Sequence, residues 1–500
     1  MRLSAITDRW KEEIHYYYGE SEREIASIDY NSKNVKEKSL FVAIKGFSSD
    51  GHNFVREAIN KGANTIVISK DRISEFNDLR EQDVTILTAD NTRKLLSQLS
   101  ASFFDYPTSM IPVIGITGTN GKTSITFMLE SIFKYNGYSP GVIGTVNYRW
   151  KDKEIAAPNT TPESKDLQEL IHNMISDGVD IAIIEVSSHA LQLDRVSNIE
   201  FDSAIFTNLT RDHLDLHKTY RDYFNAKKKI FHLLESSPKR NKIGIVNIDD
   251  AYGEIIYKEN DKFSYPLYCY GIDSIADYKP TRESIHTSIE RINYIIENPG
   301  IEINLNLSGN FHIANSLCAF ALAHRMDIPV EIIQKGLTEL NTIPGRFDRI
   351  KSRLGFHIII DYAHTDDALL KLLQSIRELH PKRLITIFGC GGHRDKTKRP
   401  LMGKVATKFS DLVIITNDNP RNENPEDIIK DIVSTLNTFN YEIISDREEA
   451  IKKGINMAEF DDIIVIAGKG HENYQIIGNK KIHFDDKIIA KKYLTARELK

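Results

Sequence analysis

A glycine-rich segment within residues 113–133, VIGITGTNGKTSITFMLESIF, has the residue types needed to hold a phosphate chain. Glycines there let the backbone wrap a phosphate, Lys122 can reach the terminal phosphates, and Thr123 can offer its hydroxyl to Mg²⁺. The usual loop has a glycine at the position of Ile116, but an apolar strand before the loop and a helix after it make a plain glycine turn the weaker interpretation. We therefore predict an ATP site formed by Gly118, Thr119, Asn120, Gly121, Lys122, Thr123 and Ser124.

The elements that must position this loop are short apolar runs that alternate with amphipathic helical stretches. Fully apolar strands separated by helices are typical of parallel sheets covered on both faces, so we predict an α/β fold. The segment 278–307 has the pattern of antiparallel strands and predicts a small extra sheet. The parallel strands are expected within residues 111–118, 180–186, 203–208, 243–249, 357–364, 383–389, 411–416 and 462–468.

The length of 500 residues is too great for one hydrophobic core. Turn-rich breaks at 103–112 and 341–350 separate helical stretches from new strand series. We therefore predict three domains, at 1–109, 110–343 and 344–500.

The composition is that of an ordinary globular chain, with 41% hydrophobic and 27% charged residues. A net charge of −5 argues against nucleic acid or an anionic membrane as a partner. The three cysteines are widely spaced, which indicates a reducing compartment rather than a disulfide framework. The first residues, MRLSAITDRWKEE, lack a signal-peptide core, so we expect a cytoplasmic protein, and we expect it to be a monomer.

The loop sequence TGTNGKTS resembles that of the ATP-dependent Mur ligases of bacterial cell-wall synthesis and of the related folylpolyglutamate synthetases. Other Mur ligase motifs follow in order along essentially the whole chain. They are NTTP (159–162), EVSSHAL (185–191), FTNLTRDHLD (206–215), YFNAKKKIF (223–231), GRFDRI (345–350), DYAHT (361–365), FGCGGHRDKTKRP (388–400), DNPR (418–421) and AGKGHE (467–472). The set is most similar to the members that add the third residue of the peptidoglycan stem peptide. It implies an N-terminal UDP-MurNAc-binding α/β domain, a central P-loop ATPase domain with a parallel sheet, and a C-terminal Rossmann-like domain for the amino acid.

The resemblance implies a ligase that joins an amino acid to the D-Glu carboxylate of UDP-MurNAc-L-Ala-D-Glu through an acyl phosphate. Such a reaction gathers several negative groups and needs cations. The family's magnesium ligands correspond to Thr123, Glu185 and His213, and its carbamylated lysine corresponds to Lys227. Taken singly, such a glutamate, histidine or lysine is more often an ordinary surface residue, and only the joint pattern favours the functional interpretation. The predicted catalytic residues are Lys122, Glu185, His213 and Lys227.

The same resemblance assigns residues to the nucleotide and to the sugar peptide. Asn315, Arg346 and Asp361 correspond to residues that contact the adenine, the phosphates and the ribose region of ATP. Arg195 is informative because a guanidinium can pair bidentately with a carboxylate. Serine and threonine in such turns could instead be local caps. The predicted UDP-MurNAc-dipeptide residues are Ser32, Asn159, Thr160, Thr161, Ser187 and Arg195.

The DNPR loop resembles part of a pocket for meso-diaminopimelate, together with residues of the motifs at 388–400 and 467–472. The distal end of that amino acid carries an amine and a carboxylate. Arg421 can pair with the carboxylate, and Asp418 and Glu472 can accept from the amine; lysine would leave the arginine unpaired. The predicted diaminopimelate residues are Arg394, Asp418, Asn419, Pro420, Arg421, Gly468 and Glu472.

Three alternatives stay open at the level of sequence. The first is the same ligase acting on L-lysine or L-ornithine. The second is a folylpolyglutamate synthetase, which would explain the phosphate loop but not the N-terminal domain or the DNPR loop. The third is a nucleotide-regulated binding protein without catalysis, which should lack one or more of the predicted catalytic residues, and none is missing.

Overall fold

The computed structural model describes residues 1–46, 49–212, 216–298 and 300–499. Its strands are β1 (His15–Tyr18), β2 (Ser27–Asp29), β3 (Ser39–Val42), β4 (Ala63–Ser69), β5 (Thr85–Ala89), β6 (Val113–Thr117), β7 (Pro140–Ile143), β8 (Asn147–Trp150), β9 (Lys153–Ala156), β10 (Ile181–Glu185), β11 (Ser203–Phe206), β12 (Ile243–Asn247), β13 (Leu267–Tyr270), β14 (His286–Thr287), β15 (Ile292–Ile296), β16 (Ile301–Leu305), β17 (Asp348–Lys351), β18 (His357–Asp361), β19 (Leu384–Phe388), β20 (Leu412–Ile415), β21 (Tyr441–Ile443), β22 (Ile463–Ala467), β23 (Tyr474–Ile477) and β24 (Lys480–His483).

The α-helices follow the same chain order. They are α1 (Leu3–Thr7), α2 (Val55–Asn60), α3 (Thr92–Phe103), α4 (Pro107–Met110), α5 (Lys122–Tyr135), α6 (Ser164–Ser176), α7 (Ser188–Gln192), α8 (Tyr220–Ser236), α9 (Ala251–Tyr257), α10 (Phe311–Arg325), α11 (Val330–Thr338), α12 (Asp366–Arg377), α13 (Lys398–Phe409), α14 (Pro425–Val433), α15 (Arg447–Met457) and α16 (Asp486–Glu498). Among the described residues, no helix is both long enough and apolar enough to cross a bilayer.

The chain divides into two compact units. The first consists of Met1–Thr117, Tyr138–Ile205 and Ala226–Lys242. The second consists of Gly118–Gly137, Phe206–Asn225 and Ile243–Lys500. The three-domain boundaries expected from the sequence stay a prediction.

The first unit begins with a sheet in the order β1-β5-β4-β3-β2, parallel throughout except for β1 at its edge. Alternate residues of a strand point to opposite faces. Leu40 and Val42 of β3 therefore enter one apolar cluster, and Phe41 between them enters the other. Burial on both faces explains why β3 has apolar residues at the consecutive positions 40–42.

The remaining strands of the first unit lie in the order β11-β6-β10-β7-β8-β9. β10 pairs in parallel with both β6 and β7, and β8 and β9 extend the sheet with antiparallel pairing. The carboxyl ends of β6 and β10 meet at one edge, which is where ligands gather in open α/β sheets.

In the second unit, α5 packs against α10 and α11, and β12 pairs in parallel with β13. β14, β15 and β16 form a small antiparallel sheet, as predicted for 278–307. A larger sheet follows in the order β17-β18-β22-β19-β20-β21, with only β17 antiparallel among the pairings described. Its two faces bury separate apolar clusters, and β23 and β24 form a hairpin beyond it. The predicted α/β class is confirmed.

Candidate active site

The phosphate loop follows β6 directly, and α5 begins at Lys122. Gly118 has a φ of 147°, and a Cβ added to it would lie 1.8 Å from the hydroxyl oxygen of Thr207. Gly121 has a φ of 93°, and its Cβ would lie 2.6 Å from Oδ1 of Asn315. Both positions require glycine, because the backbone is left-handed and a neighbouring side chain fills the space of a methyl group. The predicted adenine residue Asn315 therefore lies at this loop.

Residues 207–208 hold the loop from one side. The amide of Thr119 donates to the carbonyl of Asn208 at 2.9 Å, and the amide of Asn120 donates to Oδ1 of the same residue at 2.9 Å. The Thr207 hydroxyl donates to the carbonyl of Asn120 at 2.6 Å. The loop conformation is therefore set by protein contacts, an arrangement that the sequence-based assignment of roles did not include.

Two cationic side chains lie at the mouth of the loop. The Lys122 ammonium donates to the carbonyls of Gly118 at 2.8 Å and Thr119 at 3.0 Å. Nη2 of Arg346 donates to the Thr123 hydroxyl at 3.2 Å, and its guanidinium lies 4.6 Å from the centre of the Tyr362 ring. Helix amides and cations together favour a polyphosphate at the start of α5.

Asp361 lies at the end of β18 and acts as a backbone anchor. Its Oδ2 accepts from the amide of Phe347 at 2.7 Å, and its Oδ1 accepts from the amide of Ala363 at 2.8 Å. Burial raises the pKa of this carboxyl. A contact with the ribose region, expected from the resemblance, stays a prediction; the observed contacts make Asp361 the support for the segment that carries Arg346.

In the first unit, Glu185 lies buried at the end of β10. Its Oε1 accepts from the Thr145 amide at 3.0 Å, and its Oε2 accepts from the Thr145 hydroxyl at 2.7 Å. Thr145 was not singled out from the sequence, because nothing in its local pattern marks a partner forty residues away. It holds the carboxylate in one orientation.

The predicted magnesium ligands are oxygen donors apart from His213, which lies outside the described residues. Hydroxyl and carboxylate oxygens suit a hard cation such as Mg²⁺, so Thr123 and Glu185 fit it chemically. Within the described ranges, no group of three or more His, Cys, Asp and Glu residues is arranged to hold a metal. The metal assignment therefore stays a prediction.

The three consecutive lysines of α8 differ in burial. Lys227 is only 1% exposed, whereas Lys228 and Lys229 are partly exposed. Lys229 pairs with Asp194 at 2.6 Å. Burial thus distinguishes Lys227, the position predicted to be carbamylated, from a solvated basic helix face.

Three predicted substrate residues form one hydrogen-bonded group in the first unit. The Thr161 hydroxyl donates to the carbonyl of Glu185 at 2.7 Å and accepts from the amide of Ser187 at 3.0 Å. Nη1 of Arg195 donates to the carbonyl of Thr161 at 3.0 Å. The Ser187 hydroxyl also accepts from the Ala190 amide, as the N-cap of α7. These residues therefore connect the end of β10 to the start of α7.

The other predicted substrate residues lie at different positions of the first unit. Thr160 contacts Thr145 through their hydroxyls at 3.1 Å, and the carbonyl of Asn159 accepts from the Tyr148 hydroxyl. Ser32 is buried after β2, and its carbonyl accepts from Lys61 at 3.1 Å. The described contacts link Thr160, but not Ser32, to the group around Glu185.

The DNPR loop follows β20 in the second unit and is held by the β23–β24 hairpin. Arg421 has a φ of 55°; its amide donates to the carbonyl of Ile476 at 3.0 Å, and its carbonyl accepts from Gly478 at 2.7 Å. Oδ1 of Asn419 accepts from the Ile476 amide at 2.9 Å, and its Nδ2 donates to Glu472 at 2.9 Å. The hairpin therefore fixes both the backbone and the polar side chains of the loop.

The charged groups of this loop lie close to one another. Asp418 and Glu472 both act electrostatically on Arg421, and Gly468 lies beside the Asp418 carboxylate. Burial lowers the pKa of the Arg421 guanidinium, and repulsion by the positive charge of Arg394 lowers it further. The structure thus brings the predicted diaminopimelate residues together, with Arg394 exposed at the rim and Pro420 between the acidic and basic positions.

Lys469 is a pocket residue that the sequence analysis did not select. Its ammonium is fully buried and lies 3.2 Å from Oε2 of Glu472 and 3.4 Å from Oδ1 of Asn419. Its position inside the AGKGHE motif, three residues before Glu472, was the available signal. A cation there balances one carboxylate of the pocket and holds it in place.

Comparison with known proteins places this chain in a family. Three models match in order: the Mur ligase family catalytic domain over 24–104, the Mur ligase middle domain over 116–323, and the Mur ligase glutamate ligase domain over 345–470. A relative in Clostridium acetobutylicum, UDP-N-acetylmuramoyl-L-alanyl-D-glutamate--2,6-diaminopimelate ligase 1, is 43% identical over 99% of both chains. A relative in Clostridium perfringens with the same ligase name is 42% identical over 94% of this chain and 95% of its own.

A solved structure of a UDP-N-acetylmuramoyl-L-alanyl-D-glutamate--2,6-diaminopimelate ligase is also similar. It matches with a TM-score of 0.69 and 26% identity, covering 99% of both chains. The predicted resemblance is confirmed by these matches, and the architecture is the three-domain α/β fold of these ligases. Since the models follow one another along the chain and the identity extends over its whole length, this chain belongs to the Mur ligase family.

Proposed function

We propose that this chain is the ATP- and Mg²⁺-dependent ligase that adds meso-diaminopimelate to the D-Glu carboxylate of UDP-MurNAc-L-Ala-D-Glu. The observation that carries the choice of amino acid is the loop around Asn419, which hydrogen-bonds both the Arg421 guanidinium and the carboxylates of Asp418 and Glu472. That charge pattern is complementary to a zwitterionic end bearing one carboxylate and one ammonium. The names of the full-length clostridial relatives support the same reaction.

The phosphate loop would hold ATP during the first step. A carboxylate oxygen of D-Glu attacks the γ-phosphorus, the bond to the β-phosphate oxygen breaks, and ADP leaves. Lys122 and Arg346, which contact the phosphate loop at Gly118 and Thr123, would offset charge on the transferred phosphoryl group. Bound Mg²⁺, held by Thr123, Glu185 and His213, would supply further charge stabilisation.

The substrate residues of the first unit would orient the acceptor carboxylate. Arg195 offers a guanidinium for a carboxylate of the peptide, while Thr161 and Ser187 fix the backbone around it. In the second step the deprotonated amine of the amino acid attacks the acyl carbon. The carbon–oxygen bond to phosphate breaks, inorganic phosphate leaves, and the amide forms.

The amino-acid pocket explains discrimination between substrates. Lysine and ornithine would present an ammonium to Asp418 and Glu472 but leave Arg421 without a carboxylate. A site built to pair a group rejects an analogue that lacks the partner, by far more than a size difference would. A folylpolyglutamate synthetase is disfavoured because the match to the family includes residues 24–104, and relatives with the ligase name match almost the whole chain.

The test is phosphate release with ATP, Mg²⁺ and UDP-MurNAc-L-Ala-D-Glu, with one amino acid added at a time. We expect release only with meso-diaminopimelate, together with a product whose mass increases by that amino acid less water. Release with lysine or ornithine alone would overturn the specificity. Release with none would favour the nucleotide-regulated binding protein, and release with a folate and glutamate would favour the folylpolyglutamate synthetase.

A further inference from the structure

Two arginines of the first unit share one carboxylate oxygen. Oε2 of Glu163 lies 2.7 Å from Nη1 of Arg93 and 3.4 Å from Nε of Arg195. The side chains are 14%, 8% and 15% exposed for Arg93, Glu163 and Arg195. The other oxygen of Glu163 accepts from the amide of Ser164 at 3.1 Å, which begins α6. One oxygen of Glu163 thus bonds the start of the helix, and the other accepts a hydrogen bond from Arg93 and forms an ion pair with Arg195.

A second contact ties the same two regions together. Asn91 caps α3 two residues before Arg93, and its Nδ2 donates to Oδ2 of Asp194 at 3.1 Å. Asp194 directly precedes Arg195 and has a φ of 55°. Two consecutive residues of the 194–195 segment are therefore held by the start of α3, one directly and one through Glu163.

A guanidinium that must meet a carboxylate in one orientation benefits from being held there beforehand. We propose that Glu163 is a positioning residue that orients Arg195 for the acyl substrate, and that Arg93 fixes Glu163. This inference rests on the proposed role of Arg195 in binding UDP-MurNAc-L-Ala-D-Glu.

The main test is the substitution Glu163→Gln, which keeps the shape and the cap on α6 but removes the charge. Affinity for UDP-MurNAc-L-Ala-D-Glu, measured by calorimetry with full-length protein, should fall roughly ten- to hundredfold, because the charge that holds the Arg195 guanidinium in place is lost and a small misplacement of a binding group has an effect of that size. Affinity for ATP should stay within about twofold, because the phosphate loop contacts do not involve Glu163. The matched control is Glu169→Gln on the same helix, which breaks the pair of Glu169 with Lys165 at 2.8 Å and should leave both affinities unchanged.

A double-substitution cycle separates positioning from direct contact. Arg93→Met should weaken dipeptide binding by about fivefold or more in the wild-type background and by less than about twofold in the Glu163→Gln background, because the path through Glu163 is already broken. Equal losses in both backgrounds would mean that Arg93 contacts the substrate itself, and would overturn the inference. If Glu163→Gln fails to fold, Arg93→Met decides alone: unchanged dipeptide affinity would refute the proposal.

The outcomes also separate this inference from the proposed function. If the wild-type protein binds no UDP-MurNAc-L-Ala-D-Glu, the proposed function fails and the inference fails with it. If the wild-type protein binds the dipeptide and Glu163→Gln binds it within twofold, only the positioning role is refuted. An equal loss of ATP and dipeptide affinity would show general disruption rather than positioning, and would also refute it.

Discussion

Substitution of Arg421 should change the amino-acid specificity without changing nucleotide use. The observed hydrogen bonds of its side chain both come from Nη1, to the carbonyl of Gly392 at 2.8 Å and to that of Asn419 at 3.4 Å. Nη2 and Nε are therefore the atoms that we expect to meet the distal carboxylate. Alanine is the appropriate replacement, because at a φ of 55° it has the same left-handed backbone strain as arginine. Glycine would remove that strain and so change the backbone energy as well as the side chain.

The magnitude follows from the kind of hydrogen bond that the substitution removes. A hydrogen bond to a charged group contributes about 1.5–3 kcal/mol, and a half-buried pair of such bonds should be near the upper end. A loss of about 3 kcal/mol corresponds to a rise of about two orders of magnitude in KM for meso-diaminopimelate. For lysine, Arg421→Ala removes an unpaired cation from the pocket, so kcat/KM should stay equal or rise. The ratio between the two amino acids should therefore fall by at least about a hundredfold.

The assay is steady-state phosphate release with each amino acid and with ATP varied in turn. Arg421→Lys keeps the charge but loses the planar fork, and should lie between wild type and alanine. Arg377→Lys is the control, because Arg377 is an arginine of the same unit that bonds the carbonyl of Phe409 and the carboxylate of Asp411 and has no predicted role in the pocket. An equal rise in KM for ATP, or an unchanged KM for diaminopimelate, would refute the reasoning.

Other perturbations have separate readouts. Lys122→Met should lower kcat by about a hundredfold or more in the phosphate-release assay, since a cation at the transferred phosphoryl group is removed; a smaller change would argue against that role. Burial lowers the pKa of His312 from 6.5 to about 3, so the unfolded chain binds the extra proton and stability should fall by up to about 1.4 kcal/mol per pH unit as the pH drops below 6.5. The free energy of unfolding, measured with urea, should be lower at pH 5 than at pH 7, and His312→Gln should lack this part of the difference. Asp486→Asn should cost about 3–5 kcal/mol because it leaves Arg447 buried without its charge partner at 2.7 Å, whereas Arg447→Met with Asp486→Leu should recover most of that loss in the same unfolding measurement.

Much of the fold could be predicted because the responsible signals are local. Each of the parallel strands expected from an apolar run is present, since burial on both faces demands apolar residues at consecutive positions. The phosphate loop could be predicted for a similar reason. The glycines, Lys122 and Thr123 lie within a few residues, and their conformational requirements are properties of the loop itself.

The partners that orient these groups were not predictable in the same way. Thr145 holds Glu185 across forty residues, and Arg93 reaches Glu163 across seventy. A threonine or an arginine in such a position has many possible partners, and only the folded sheet decides between them. The hairpin that holds Arg421 was also missed, because β24 is exposed, β23 is only partly buried, and neither strand has a strong apolar alternation.

Asp361 shows that a motif residue can have a structural role in addition to the ligand contact predicted for it. Its carboxylate accepts two backbone amides, from Phe347 and Ala363, and in this way it supports the segment that carries Arg346. Gly468 donates its amide to the carbonyl of Asp361, so the same residue also adjoins the strand end that leads to the amino-acid pocket. The carboxylate of Asp361 thus supports the backbone beside Arg346, and the backbone carbonyl of the same residue meets Gly468. The Asp361 carboxylate is bound by backbone amides, whereas we expect the Arg421 guanidinium to meet the distal carboxylate of the amino acid.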